Sequence, residues 1–240
     1  MQNRYSGDIG DFSKLGLLRA LLPCGLLIGI NWYLVPDETH NSDGGHVKYL
    51  EQNEFRKCDE ELWEELGQVV HGGKRNVKSL QSESILPAIQ FSEVLNFTDK
   101  KKPERVEIRK KWHSKALKWL ADARIVCTDP DNGFIVPSAE GTVRENKFIL
   151  PEEIKDYYQQ GSTVIYYQHK ARKLDSFYID QHRKLLKEPE FDGASGIILK
   201  FKTTSQRYYC FIIQPDHEAL IKGAINEMLS TEWGKHFVLL

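Results

Sequence analysis

The fold turns on Ala123-Arg124-Ile125-Val126-Cys127-Thr128 followed by Asp129-Pro130-Asp131-Asn132-Gly133. A short β-prone apolar run that stops at an Asp-Pro and a glycine reads as a buried strand ending in a turn. In an open α/β sheet the carboxyl ends of the strands face the ligand crevice, so these two carboxylates are expected at a pocket. Pro130 fixes φ in the turn, and Gly133 permits positive φ or close approach of another group. A plain β-turn whose acids cap backbone amides is the competing reading.

Working outward, the chain alternates strand-like and helix-like segments. Asp11 to Leu22 reads as a helix capped by Asp11, with Phe12, Leu15, Leu18 and Leu22 at three- or four-residue spacing. Leu26 to Val35 is strand-like and runs into Pro36-Asp37-Glu38 and a polar loop from Thr39 to His46, with Gly44 and Gly45. Glu60 to Val70 is helical, Val77 to Leu80 a short strand and Ser84 to Leu95 a helix. A longer helix starts near Lys100, with Pro103 in its first turn, and ends near Ala121. After Asp129 come a helix over Pro151–Gln159, a strand over Ser162–Tyr167 leading to Gln168-His169, and a helix over Asp175–Leu186. Two β-rich runs, Gly196–Phe201 and Arg207–Ile213, flank Thr203-Thr204-Ser205-Gln206. A helix over His217–Leu229 and a strand over His236–Leu240 close the chain.

This alternation predicts an α/β fold with a doubly wound, mainly parallel sheet and an antiparallel strand pair near the C-terminus. The 240 residues are expected to form a single domain (1–240) with a helical insertion at about 45–99. Hydrophobic residues make up 40% and charged residues 28%, as in ordinary water-soluble domains. The apolar stretch Leu15–Ile30 is interrupted by Arg19, Pro23 and glycines, so no membrane span is expected. The N-terminal residues lack the pattern of a secretory signal. Four widely spaced cysteines without a Cys-x-x-Cys pair suit the reducing cytoplasm, the expected location, rather than zinc or a disulfide framework.

The net charge of −1 excludes a global field that draws in nucleic acid, but the charge is uneven. Residues 100–118 carry nine Lys and Arg, among them Lys101, Lys102, Arg105 and Arg109, against Glu104 and Glu107. Helical spacing is read as placing Arg105 and Arg109 on one surface stripe, with Trp112 and Ala116 anchoring the other side. The segment is a candidate nucleic-acid surface, and a solvated helix face is the plainer alternative. His169, after a strand, is a candidate acid or base.

Gly7-Asp8-Ile9-Gly10-Asp11-Phe12-Ser13-Lys14, the Asp37-Glu38-Thr39-His40 loop with Gly44 and Gly45, and Asp129-Pro130-Asp131-Asn132 occur in an order that resembles the large-subunit ribosomal RNA adenine-N6 methyltransferase family. The closing run through Gln214-Pro215 is similar as well. The opening Arg-Tyr-x-Gly-Asp-x-x-Asp-Phe-x-Lys and the Asp-Pro-Asp-Asn-Gly turn are also shared, more closely, with a set of uncharacterised bacterial proteins. The resemblance implies a Rossmann-like, methyltransferase-type fold and S-adenosylmethionine as cofactor, held by Asp11, Lys14, Asp37, Glu38, Gly44 and Gly45. It implies a catalytic turn at Asp129, Pro130, Asp131 and Asn132, with His169 nearby, and a nucleic-acid substrate met by Lys14 and the basic segment. The family has an aromatic residue where Asn132 stands, and Phe134 is the nearest ring to replace it.

Two alternatives stand beside this. Asp37, Asp129 and Asp131 are a candidate set for Mg2+ or Mn2+ in a metal-dependent nuclease or phosphoesterase. A non-catalytic binding subunit of a defence-type system is the other.

Overall fold

The computed structural model describes residues 1–38, 44–73, 75–203 and 205–240. Its centre is a sheet built from β1 (Ile28–Asn31), β2 (Ile89–Phe91), β3 (Ile125–Thr128), β6 (Thr163–His169), β7 (Ser195–Phe201), β8 (Arg207–Ile213) and β9 (Phe237–Leu239). Among the described residues the seven strands run in the order β2-β1-β3-β6-β8-β7-β9. Strands β2, β1, β3 and β6 are mutually parallel, and β8 enters antiparallel between β6 and β7. β9 pairs antiparallel with β7. Two short strands, β4 (Gly133–Phe134) and β5 (Phe148–Ile149), pair beside it.

The helices cover both faces, which makes the sheet doubly wound. On one side lie α1 (Ile9–Ala20), α3 (Glu60–His71) and α8 (Glu218–Ser230), whose Phe12, Leu66 and Ile225 pack with Ile30, Cys127 and Phe211 of the sheet. On the other lie α5 (Lys102–Trp119), α6 (Pro151–Gln159) and α7 (Asp175–Leu185). There Trp112, Tyr157 and Tyr178 pack with Val126, Val164 and Tyr208. Neighbouring residues of β3 therefore go to opposite cores, and the strand reads as a continuous apolar run because both faces are buried. Each fully buried ring or branched side chain contributes roughly 1.5–3 kcal/mol.

Several sequence expectations are corrected. Asp8, not Asp11, caps α1: its extended backbone lets Oδ1 accept the amides of Gly10 at 2.7 Å and Asp11 at 3.1 Å. The strand read over Leu26–Val35 is confined to Ile28–Asn31, and Tyr33 turns the chain with φ +44°. Val77–Leu80 is one helical turn (α4) capped by the Asn76 side chain rather than a strand. Ser84–Leu95 is not a helix. It carries the edge strand β2, whose parallel pairing with β1 outweighs local helical spacing. The 45–99 segment thus holds α2 (Asn53–Arg56), α3 and α4 and then contributes a strand to the main sheet. The antiparallel pair is found at β7 and β8, within one residue of its expected bounds. Among the described residues no helix is long and apolar enough to cross a membrane.

Candidate functional site

A cleft of about 340 Å³ opens at the carboxyl ends of β1, β3 and β6, beside the N-terminus of α1. Asp11, Lys14, Glu38, Gly44, Asp129, Pro130, Asp131, Asn132 and His169 all line it, so the sequence-selected elements do converge. Asp37 and Gly45 are not among its lining residues, and Thr39 and His40 lie outside the described residues.

Its floor is a buried ion-pair cluster. Asp11 and Lys14, three residues apart on α1, share a helix face, and β3 delivers Asp129 to the same point. Lys14 Nζ donates to Asp11 Oδ1 and to Asp129 Oδ2, both at 2.7 Å, and sits 4.5 Å from the centre of the Trp32 ring. Asp11 Oδ2 accepts the Gly7 amide at 2.9 Å. Asp129 Oδ1 makes no hydrogen bond to any described residue, while its residue borders the cleft. Burial opposes charge on Lys14, but the two carboxylates outweigh it and hold the ammonium above its ordinary value. For Asp11 and Asp129 burial wins over the shared ammonium, so both carboxyls are raised. Two acids drawing on one lysine explain the asymmetry.

Asp131 lines the same cleft but has other partners. It pairs with the Met1 ammonium at 2.6 Å and accepts Gln2 Nε2 at 2.7 Å. Burial would raise it, but the ammonium and the Gln2 hydrogen bond outweigh that and lower its pKa. Asp37 Oδ1 accepts the Arg4 amide at 3.3 Å, and Glu38 pairs with Lys147 and Arg4. The three acids of the metal alternative therefore address separate partners. Among the described residues no group of three or more His, Cys, Asp or Glu is placed to hold a metal ion.

The turn after Asp129 is held by its backbone. Asn132 donates its amide to the Lys147 carbonyl at 3.0 Å. Gly133 has φ +96°, and a Cβ there would lie 2.6 Å from Gln168 Oε1, so glycine is required. That same Gln168 oxygen accepts the Phe134 amide at 2.8 Å. The Phe134 ring lies 6.1 Å from Tyr166 and is not among the cleft residues, which removes it as the substitute ring expected from sequence. Tyr5 and Tyr167 are the aromatic residues lining the cleft.

The basic segment is less uniform than its spacing suggested. Arg109 is 5% exposed and lies inside the fold, where Nε and Nη2 reach Glu153 at 2.8 and 2.7 Å. It is not on the solvent-facing stripe, because residues 109, 112 and 116 share the buried face of α5. Arg105 spends its guanidinium on the carbonyls of Lys100 and Gly141. Lys101 and Lys102 remain exposed at the helix start.

Sequence reading missed His46, Lys147 and Arg207 as cleft residues, and took Asp8 and Tyr167 only as parts of elements expected to converge there, without a role of their own. Tyr167 shares a face of β6 with His169, two residues on, and its hydroxyl lies 3.3 Å from His169 Nδ1. Arg207, opening an apolar strand, carried only a weak signal until register set it opposite His169.

Comparison of the chain with protein-family models and with curated proteins finds no match.

Proposed function

We propose that this is an S-adenosylmethionine-dependent, methyltransferase-like protein acting on the exocyclic amino group of a nucleic-acid base, with adenine N6 as the favoured position. The observation that carries the reading is the Asp129 carboxylate. Lys14 fixes one oxygen, and the other has no hydrogen-bond partner among the described residues, at the carboxyl end of a central parallel strand. An amino nitrogen that receives a methyl group must aim its lone pair and then shed a proton. A fixed carboxylate oxygen accepting one of its hydrogens orients the nitrogen and stabilises the positive charge that develops on it. Burial, which raises the Asp129 carboxyl, makes that oxygen a better acceptor.

The donor supplies the electrophilic methyl group. Glu38 and Gly44, after β1, and Lys14 and Asp11 on α1 are the residues that would hold it. Tyr167 or Tyr5 takes the stacking role. Nucleic acid is supported by topology: α5 links the parallel strands β2 and β3, so it runs back along the sheet and starts at the cleft end. Exposed Lys101 and Lys102 are thereby at the edge where a backbone would pass.

The test is calorimetric titration with S-adenosylmethionine, followed by transfer of labelled methyl to adenine-containing RNA and DNA. Donor binding with label at adenine is expected. Absence of both would overturn the reading.

A further inference from the structure

Arg207 opens β8, is 5% exposed, and leaves most of its guanidinium unused. Its Nε donates to the Ser205 carbonyl at 3.0 Å, and its central carbon lies 5.9 Å from the middle of the Tyr167 ring. Among the described residues neither Nη1 nor Nη2 has a hydrogen-bond acceptor, and no carboxylate lies within ion-pair distance. Arg109, equally buried, spends all three nitrogens on Glu153 and two carbonyls. Asp8 and Asp11 act on Arg207 through space but are engaged with the α1 amides, Lys14 and Gly7.

The position is also built for close approach. Gly10 lines the cleft with Arg207, and a Cβ on Gly10 would fall 1.8 Å from Nη1. Arg207 is thus held within the fold while its Nη edge, used by no described protein group, opens to the cleft, where a ligand can accept its hydrogens.

We infer that Arg207 is the oxyanion anchor of the cleft, and that its Nη1–Nη2 edge receives a carboxylate or phosphate of the bound molecule through paired hydrogen bonds. The planar fork matches both groups, which a lysine ammonium does not. The inference goes beyond the methyltransferase reading and does not depend on it: a donor ending in an α-carboxylate and a nucleic-acid phosphate present the same chemistry.

The test uses the full chain, 15N-labelled at arginine and titrated with inorganic phosphate or acetate, with chloride as the ionic-strength control. The Arg207 guanidinium signals are assigned by their loss in Arg207→Lys. Saturable shifts with phosphate or acetate, absent with chloride, are expected. In Gly10→Ala, which suits a helix but displaces Nη1, binding should weaken at least tenfold. In Arg207→Lys, affinity measured by calorimetry should fall comparably.

A second arm identifies the source. A tenfold preference for S-adenosylhomocysteine over 5′-methylthioadenosine, lost in Arg207→Lys, assigns the anchor to the donor carboxylate. The same pattern for adenosine monophosphate over adenosine assigns it to phosphate. Anion binding at Arg207 without donor binding would uphold the anchor and sink the methyltransferase reading. No saturable shift with either anion, or full-strength binding in both variants, would overturn the anchor.

Discussion

Two of the buried charge clusters among the described residues differ in how completely they are satisfied. Beneath α5, Arg109 forks onto Glu153 and also donates to the carbonyls of Glu145 and Phe148. Glu153 Oε2 accepts the Tyr33 hydroxyl and the Leu150 amide as well, each at 3.0 Å. One cation meets one anion, every strong donor is used, and Arg109 overcomes burial to hold Glu153 below its ordinary value. At the cleft, two carboxylates divide one ammonium, burial raises both, and Asp129 keeps an oxygen open. The closed cluster ties α5 to α6. The open one leaves hydrogen-bonding capacity for something that is not protein.

The largest stability effect should come from breaking the closed cluster. Arg109→Met strands a buried carboxylate and should cost about 3–5 kcal/mol in urea unfolding. Lys14→Met should cost less, about 2 kcal/mol, because the two carboxylates left facing each other can share a proton. Equal losses from the two variants would erase the distinction between the clusters.

Acid sharpens the same contrast. The folded-state pKa of Glu153 lies below its ordinary 4.5, so its contribution is present above pH 4.5 and fades as pH falls through the folded value. The folded-state pKa of Asp129 lies above its ordinary 3.8, so its contribution is present below pH 3.8 and fades as pH rises through the folded value. In unfolding curves from pH 7 to 3, the advantage of the wild type over Glu153→Gln should therefore shrink below pH 4.5. For Asp129→Asn the balance should move toward the wild type on acidification. A parallel response of both variants would contradict the assignment.

The smallest effect belongs to the surface. Lys115 meets Glu93 at 2.7 Å with both side chains exposed, and Lys115→Ala should change stability by about 0–1 kcal/mol.

Much of this architecture was legible where local pattern and tertiary demand agree. Gly196–Phe201 and Arg207–Ile213 flank a polar turn and became β7 and β8, and Pro103 marked the first turn of α5. Pattern failed where distant pairing decides. Ile89–Phe91 is a strand because β1 lies beside it, and Asp131, although it lines the cleft, is engaged by Met1 and Gln2 from the start of the chain rather than by Lys14. Arg109 was misplaced for a different reason. Its spacing from Trp112 and Ala116 already put it on the buried stripe, but an arginine there made no sense without Glu153, supplied from α6. The convergence of Asp11, Lys14 and Asp129 was legible in outline, since strand ends of a parallel sheet meet at one edge. The sharing of one lysine between two acids was not.

The central claim is that the open oxygen of Asp129 does chemistry while the cluster holds its shape. The most direct measurement is the labelled-methyl transfer rate of Asp129→Asn against wild type, at equal folded fraction and saturating donor. The amide can still accept from Lys14, so stability should change by about 1 kcal/mol and donor affinity by only a few-fold. Transfer should fall by about two orders of magnitude or more, as loss of a positioned proton acceptor does. Transfer at the wild-type rate by a folded, donor-bound Asp129→Asn would contradict the account.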